Sequence, residues 1–123
     1  MKRAVLATLL LAALAAPAMA ATPRWAWLGV RIRDLSEQEM NEISRRHGIR
    51  EGFGVMIVEV MKETPAETSG MQNGEVVVGF RDRPVADTRT LQRLISRAGV
   101  GETVHLTVLR TAGRRPIAVR LAP

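Results

Sequence analysis

From Thr103 to Leu109 the chain alternates without a break, with Val104, Leu106 and Val108 on one face and Thr103, His105 and Thr107 on the other. Ala112-Gly113 then offers a turn, and Ile117, Val119 and Leu121 alternate back. A two-residue apolar period on both sides of a turn spells a β-hairpin with one buried face. This pattern commits the end of the chain to an antiparallel sheet, and the rest has to be read for what pairs with that sheet and covers it.

Upstream of the hairpin the period changes. Leu91, Leu94, Ile95 and Ala98 recur at three- and four-residue steps, giving one apolar stripe on a helix from Thr88 to Ala98. Asp87 or Thr88 is its N-cap, and Gly99 and Gly101 end it. Before it, Glu75 to Phe80 reads as an apolar strand, Arg81-Asp82-Arg83-Pro84 as a tight polar reversal, and Val85-Ala86 as a short added pairing. Asn73-Gly74 marks a turn. Thr64-Pro65-Ala66-Glu67-Thr68-Ser69-Gly70-Met71 is a short helical turn, with Thr64 capping, Pro65 at the first helical position and Gly70 ending it. Val55 to Val60 is a strand expected to be buried on most of both faces, entered through a turn at Gly52-Phe53-Gly54. Ser36 and Glu39 are spaced as a capping box, Leu35 and Met40 as a hydrophobic staple. Arg45, Arg46 and His47 then close that helix before Gly48, as the helix dipole favours. Met40 and Ile43 are its inward side chains.

The first strand lies in Trp25 to Arg33 and starts on an aromatic, and from Leu28 onward Leu28, Val30 and Ile32 alternate with Gly29, Arg31 and Arg33. A glycine inside a strand marks a bulge or the close approach of another backbone. The element order is therefore strand, helix, strand, short helix, strand pair, helix, hairpin. It predicts an α+β fold, a small partly closed β-barrel or sandwich of five to six strands with two helices.

The N-terminal residues predict a different fate. Lys2 and Arg3 precede an uncharged apolar run from Ala4 to Ala16, Pro17 breaks it, and Ala18-Met19-Ala20 matches a small-x-small cleavage site. The run is short of the roughly 20 residues that span a bilayer. The expected organisation is a secretory signal over residues 1–20, a lead-in over 21–26 and one domain over 27–121. No stable membrane insertion is expected after cleavage, and the location is periplasmic or secreted. No cysteine is present, so a disulfide framework and a lipid-anchored cysteine are excluded. Removing Lys2 and Arg3 lowers the formal charge from +6 to +4, and the remaining basic residues are scattered apart from Arg45-Arg46 and Arg114-Arg115. Spread charge of this kind serves solubility and does not mark a nucleic-acid groove.

Four segments, in order, carry a resemblance. They are Trp27-Leu28-Gly29-Val30; Gly54-Val55-Met56-Ile57 with Glu63-Thr64-Pro65-Ala66; Gly70-Met71-Gln72-Asn73-Gly74-Glu75-Val76-Val77; and Leu91 to Ile95 followed by Gly101-Glu102-Thr103-Val104. Together they resemble a PDZ domain of the bacterial type, like those attached to periplasmic trypsin-like heat-shock proteases of the HtrA type, here without the protease domain. Trp27 stands where that group commonly has Tyr, Glu75 where it has Asp, and Arg81-Asp82-Arg83-Pro84 replaces an Asn-Gly reversal.

The resemblance implies a mechanism. A peptide carboxylate sits on the backbone amides of Leu28, Gly29 and Val30, with Arg24 as a source of long-range attraction. The peptide adds a strand along Val30, Arg31 and Ile32. Its last side chain enters a pocket formed by Leu28, Val30 and Ile32 with Leu91, Leu94 and Ile95. Leu94 is expected in the core, with Leu91 or Ile95 reaching the groove. Gly29 is expected to keep the approach of the carboxylate clear. Trp25 and Trp27 read as packing residues, and Arg31 and Arg33 as the solvated side of an edge strand.

No catalytic constellation accompanies this reading. Ser36, Ser44, Ser69 and Ser96 fall on helix caps or surfaces, and His47 and His105 are far apart in sequence and suit neither a triad nor a zinc site. The expected function is a non-catalytic peptide-binding module without cofactor or metal. Its expected partners are protein C-termini or extended segments, a periplasmic protease or misfolded envelope proteins among them. The alternative is a structural part of an envelope or secretion complex that docks through its surface, with the groove unused.

Overall fold

The computed structural model describes residues 27–48 and 53–123. The expected signal and lead-in, Arg24, Trp25 and Gly52 lie outside the described residues. Among the described residues there are six strands, β1 (Val30–Asp34), β2 (Val55–Val60), β3 (Val76–Phe80), β4 (Arg83–Pro84), β5 (Thr103–Arg110) and β6 (Gly113–Arg120). They are joined by three helices, α1 (Glu37–His47), the four-residue α2 (Pro65–Thr68) and α3 (Thr88–Arg97). All pairings are antiparallel in the order β1-β2-β3-β5-β6, with β4 beside β3. The ladder does not close. A bridge between Trp27 and Ala122 joins the chain ahead of β1 to the segment just past β6.

The terminal hairpin forms as its alternation requires, in register from Thr103 with Arg120 to Arg110 with Gly113. Val104, Leu106, Val108, Ile117 and Val119 turn inward to a core that α3 and α2 cover through Leu91 and Ala66. On the other face of the sheet, Leu35, Val76, Val78 and Leu109 form a second cluster beneath Met40 and Ile43 of α1. β3 lies between the two layers, and all five of its residues are buried. The two-sided burial expected of β2 is thus a property of β3. β2 pairs with β3 only through Val55 and Met56. Beyond Ile57 the register against β1 slips by one residue, leaving Val58 and Glu59 exposed.

Local signals close the elements as read. Ser36 Oγ accepts from Glu39 N–H at 3.1 Å, the Glu39 carboxylate accepts from Ser36 N–H at 2.9 Å, and Gly48 ends α1 in the left-handed conformation. Thr64 caps α2, and Asp87 caps α3 by accepting from Thr90 N–H at 2.7 Å. Arg33 does more than solvate an edge. Its guanidinium meets both oxygens of Glu39 at 2.7 and 2.8 Å, tying β1 to the first turn of α1.

That tie has a pH signature. The hydrogen bonds from Arg33, and then from the Ser36 amide, hold the Glu39 carboxyl at about 2 against an ordinary 4.5. A carboxylate depressed in the folded state stabilises above its unfolded pKa and loses that contribution as pH falls through the folded one. The attachment of α1 is therefore expected to weaken between pH 4.5 and about 2. Thermal midpoints against pH check this: Glu39→Gln should flatten the curve across that window, and an unchanged curve would refute the coupling.

Candidate functional site

β1 ends the sheet, so one side of it pairs with β2 and, among the described residues, the other pairs with no strand. The loop that feeds it is fastened from below. The Leu28 carbonyl accepts from Ala66 N–H and the Gly29 carbonyl from Met61 N–H, each at 3.0 Å. With both carbonyls engaged by the β2–α2 segment, the amides of Leu28 and Gly29 have no acceptor among the described residues. Successive unpaired amides of this kind form a concavity suited to an anion.

Gly29 is constrained here by the backbone of its own loop and by what lies beneath it. Its φ is +92°, a region that side-chain-bearing residues seldom occupy. A Cβ on it would stand 2.6 Å from Thr64 Cγ2 and 2.8 Å from Thr64 Oγ1. The missing side chain makes room for Thr64 beneath the loop, so it is the loop's seat that the glycine protects. Thr64 is buried, donates its hydroxyl to the Met61 carbonyl at 2.7 Å and accepts from Glu67 N–H at 3.3 Å. Sequence reading identified Thr64 only as a cap. The register slip in β1–β2 falls between Arg31 and Ile32, so Gly29 is not its bulge.

The other expected site residues divide. Val30 and Ile32 are half-buried on the core side of β1, while Arg31 is exposed and pairs loosely with Glu59 across the strand at 3.4 Å. The Leu28 side chain is core, so only its backbone is offered to the loop. On α3, Leu91 and Leu94 differ from the expectation. Leu91 is fully buried, whereas Leu94 is half-buried and lines a hollow with Phe80, Arg83 and Arg97 at the β3–β4 turn. Asp34 at the end of β1 accepts from Thr88 N–H at 2.8 Å, which sets the start of α3 beside β1. With Leu91 inward and Leu94 toward β4, helical geometry leaves Ile95, with Thr88 and Gln92, on the flank toward β1. Ile95 is half-buried there. Thr88 and Gln92 were missed, although their spacing from Ile95 placed them on its face. Trp27, read as packing, is 43% exposed at the mouth of the loop.

The arrangement is an open sheet edge, headed by unpaired amides and walled by one flank of a helix. It can hold an extended chain by its backbone and its terminal carboxylate. The comparisons agree with this geometry. The model of the family described as PDZ domain matches residues 26–121. The chain belongs to that family. It is 29% identical over 94 residues to a probable periplasmic serine endoprotease DegP-like of Rickettsia conorii, covering 76% of this chain and 18% of that protein. To the protein of the same description from Rhizobium meliloti it is 33% identical over 85 residues, covering 69% and 16%. The chain thus spans less than a fifth of these relatives, and the match is to their PDZ region. Among solved structures it is similar to the HtrA3 PDZ domain bound to a phage-derived ligand, with TM-score 0.64 and 22% identity over 78% of this chain and 84% of that one. It is also similar to the HtrA-type protease AlgW with decapeptide, with TM-score 0.65 and 22% identity over 80% and 29%.

Proposed function

We propose that this chain captures protein C-termini, or extended segments, by adding a strand to β1, and that it works in the bacterial envelope as an adaptor or regulator of a separate protease. The observation that carries the reading is the pair of unpaired amides at Leu28 and Gly29 at the head of the sheet's open edge. Val30, Ile32 and Ile95 would flank the ligand, Leu91 would close the pocket from beneath, and Arg31 would lie along the added strand. Two similar solved structures carry a ligand or a decapeptide, and the relatives are named as periplasmic. The chain's own part in this reading is binding, not catalysis. Ser69 and Ser96 spend their hydroxyls on helix carbonyls, donating to Ala66 at 2.8 Å and to Arg93 at 2.9 Å.

A titration with apolar-ended peptides, each with a free and an amidated C-terminus, tests the proposal. Amidation is expected to weaken binding at least tenfold, since it removes the charge from hydrogen bonds worth roughly 1.5–3 kcal/mol. Equal binding of both forms would mean that internal strands are read. No binding of either form would remove the recognition role and leave a structural one.

A further inference from the structure

Helix α3 carries Arg89, Arg93 and Arg97 at four-residue steps, so the three leave one side of it. Like charges at this spacing repel along a helix, and an anion set between them relieves the repulsion. The described residues contain four ion pairs, Arg31–Glu59, Arg33–Glu39, Arg81–Glu102 and Arg110–Glu75, and none involves this stripe. The acids near it are few. Asp87 accepts from the Thr90 amide and lies within electrostatic reach of Arg89 and Arg93, and Asp82 lines the hollow beside Arg83 and Arg97.

The stripe borders a concave surface. Arg83 and Pro84 of β4 face Thr90, Arg93, Leu94 and Arg97 across a hollow of about 340 Å³. A second hollow of about 350 Å³ shares Arg83, Leu94 and Arg97 with it, reaches Phe80 and Ala98, and is also lined by Asp82 and by Arg81, which is paired with Glu102. Apolar side chains therefore lie between guanidinium groups that stand on opposite banks. We propose that this face of α3, with the β3–β4 turn, docks an acidic, extended protein segment that alternates carboxylates with apolar side chains. The carboxylates meet Arg83, Arg93 and Arg97, and an apolar side chain rests against Leu94. A phosphate backbone or a lipid surface would use the charge and leave the apolar floor idle, which favours a protein segment. The face is on the far flank of α3 from β1, so it stands whether or not β1 takes a peptide.

The test uses protein purified after expression from its full coding sequence and a fluorescent octapeptide of alternating Glu and Leu with an amidated C-terminus. Binding is expected to weaken several-fold between about 50 and about 300 mM salt. It should fall roughly tenfold or more in R93E/R97E, and an unlabelled apolar-ended peptide with a free carboxylate should not compete. These arginines are exposed, and R93Q/R97Q keeps the experiment readable should the reversal disturb the fold: it should weaken binding in the same direction. The proposal is overturned by absence of binding, by binding that ignores both variants, or by anionic vesicles or a DNA oligomer binding where the peptide does not.

Discussion

A Gly29→Val chain is expected to lose peptide capture and to unfold well below the parent. Two penalties combine. Valine at φ +92° carries backbone strain, and its Cβ meets Thr64, itself buried and fixed by its bonds to Met61 and Glu67. Strain and overpacking each cost about 1–3 kcal/mol, so a loss of about 3 kcal/mol is expected. For a domain of this size that lowers the melting midpoint by roughly 15 °C. If the loop escapes by rearranging, its carbonyls leave Ala66 and Met61, and the amides of Leu28 and Gly29 no longer converge. Thermal melts with peptide titration decide this, and an unchanged midpoint with unchanged affinity would refute the loop geometry.

The second large effect lies away from the groove. Glu75 is 5% exposed, accepts from Gln72 N–H at 2.7 Å and is paired with Arg110 Nε. Arg110 also donates to the Gly70 carbonyl at 3.0 Å, so one guanidinium holds both sides of the turn between α2 and β3. Arg110→Ala strands a buried carboxylate, and a loss of about 3 kcal/mol is expected. In the Glu75→Gln background the same change should cost distinctly less, because no charge is left behind. Chemical unfolding of the four chains measures the difference. Equal losses in both backgrounds would mean that Arg110 acts through packing alone. Peptide affinity should be unaffected wherever the chains are folded.

These two cases mark what the sequence reveals. The capping box of α1, the Thr64-Pro65 start of α2 and the terminal hairpin were legible because each is set by residues within a few positions of one another. The fold class followed from such signals joined in order, but β1 starts at Val30, because the carbonyls of Leu28 and Gly29 are taken by Ala66 and Met61. Glu75 and Arg110 are 35 positions apart, and no local pattern couples them. The stripe on α3 shows that one face is buried but not how the helix is rolled against its neighbours, which is why Leu94, expected in the core, lies toward β4 and Leu91 is the fully buried one. An apolar run cannot say whether one or two layers will cover it, so two-sided burial was placed on β2 in place of β3. Gly29 was recognised, but its purpose depends on the direction of an absent Cβ, which only φ and the position of Thr64 settle.

Trp27 and Ala122 exchange two backbone hydrogen bonds, at 2.9 and 3.3 Å, where the chain enters and leaves the sheet. The two segments run antiparallel, so a pull applied through both ends loads this bridge in the unzipping direction, the weak way to stress a ladder. The next residues along the N-terminal side are Leu28 and Gly29. Under tension the segment that carries Leu28 and Gly29 is loaded ahead of the core. The amides of Leu28 and Gly29 are thus mechanically in series with the chain ends, next to the first contact that a pull would stress.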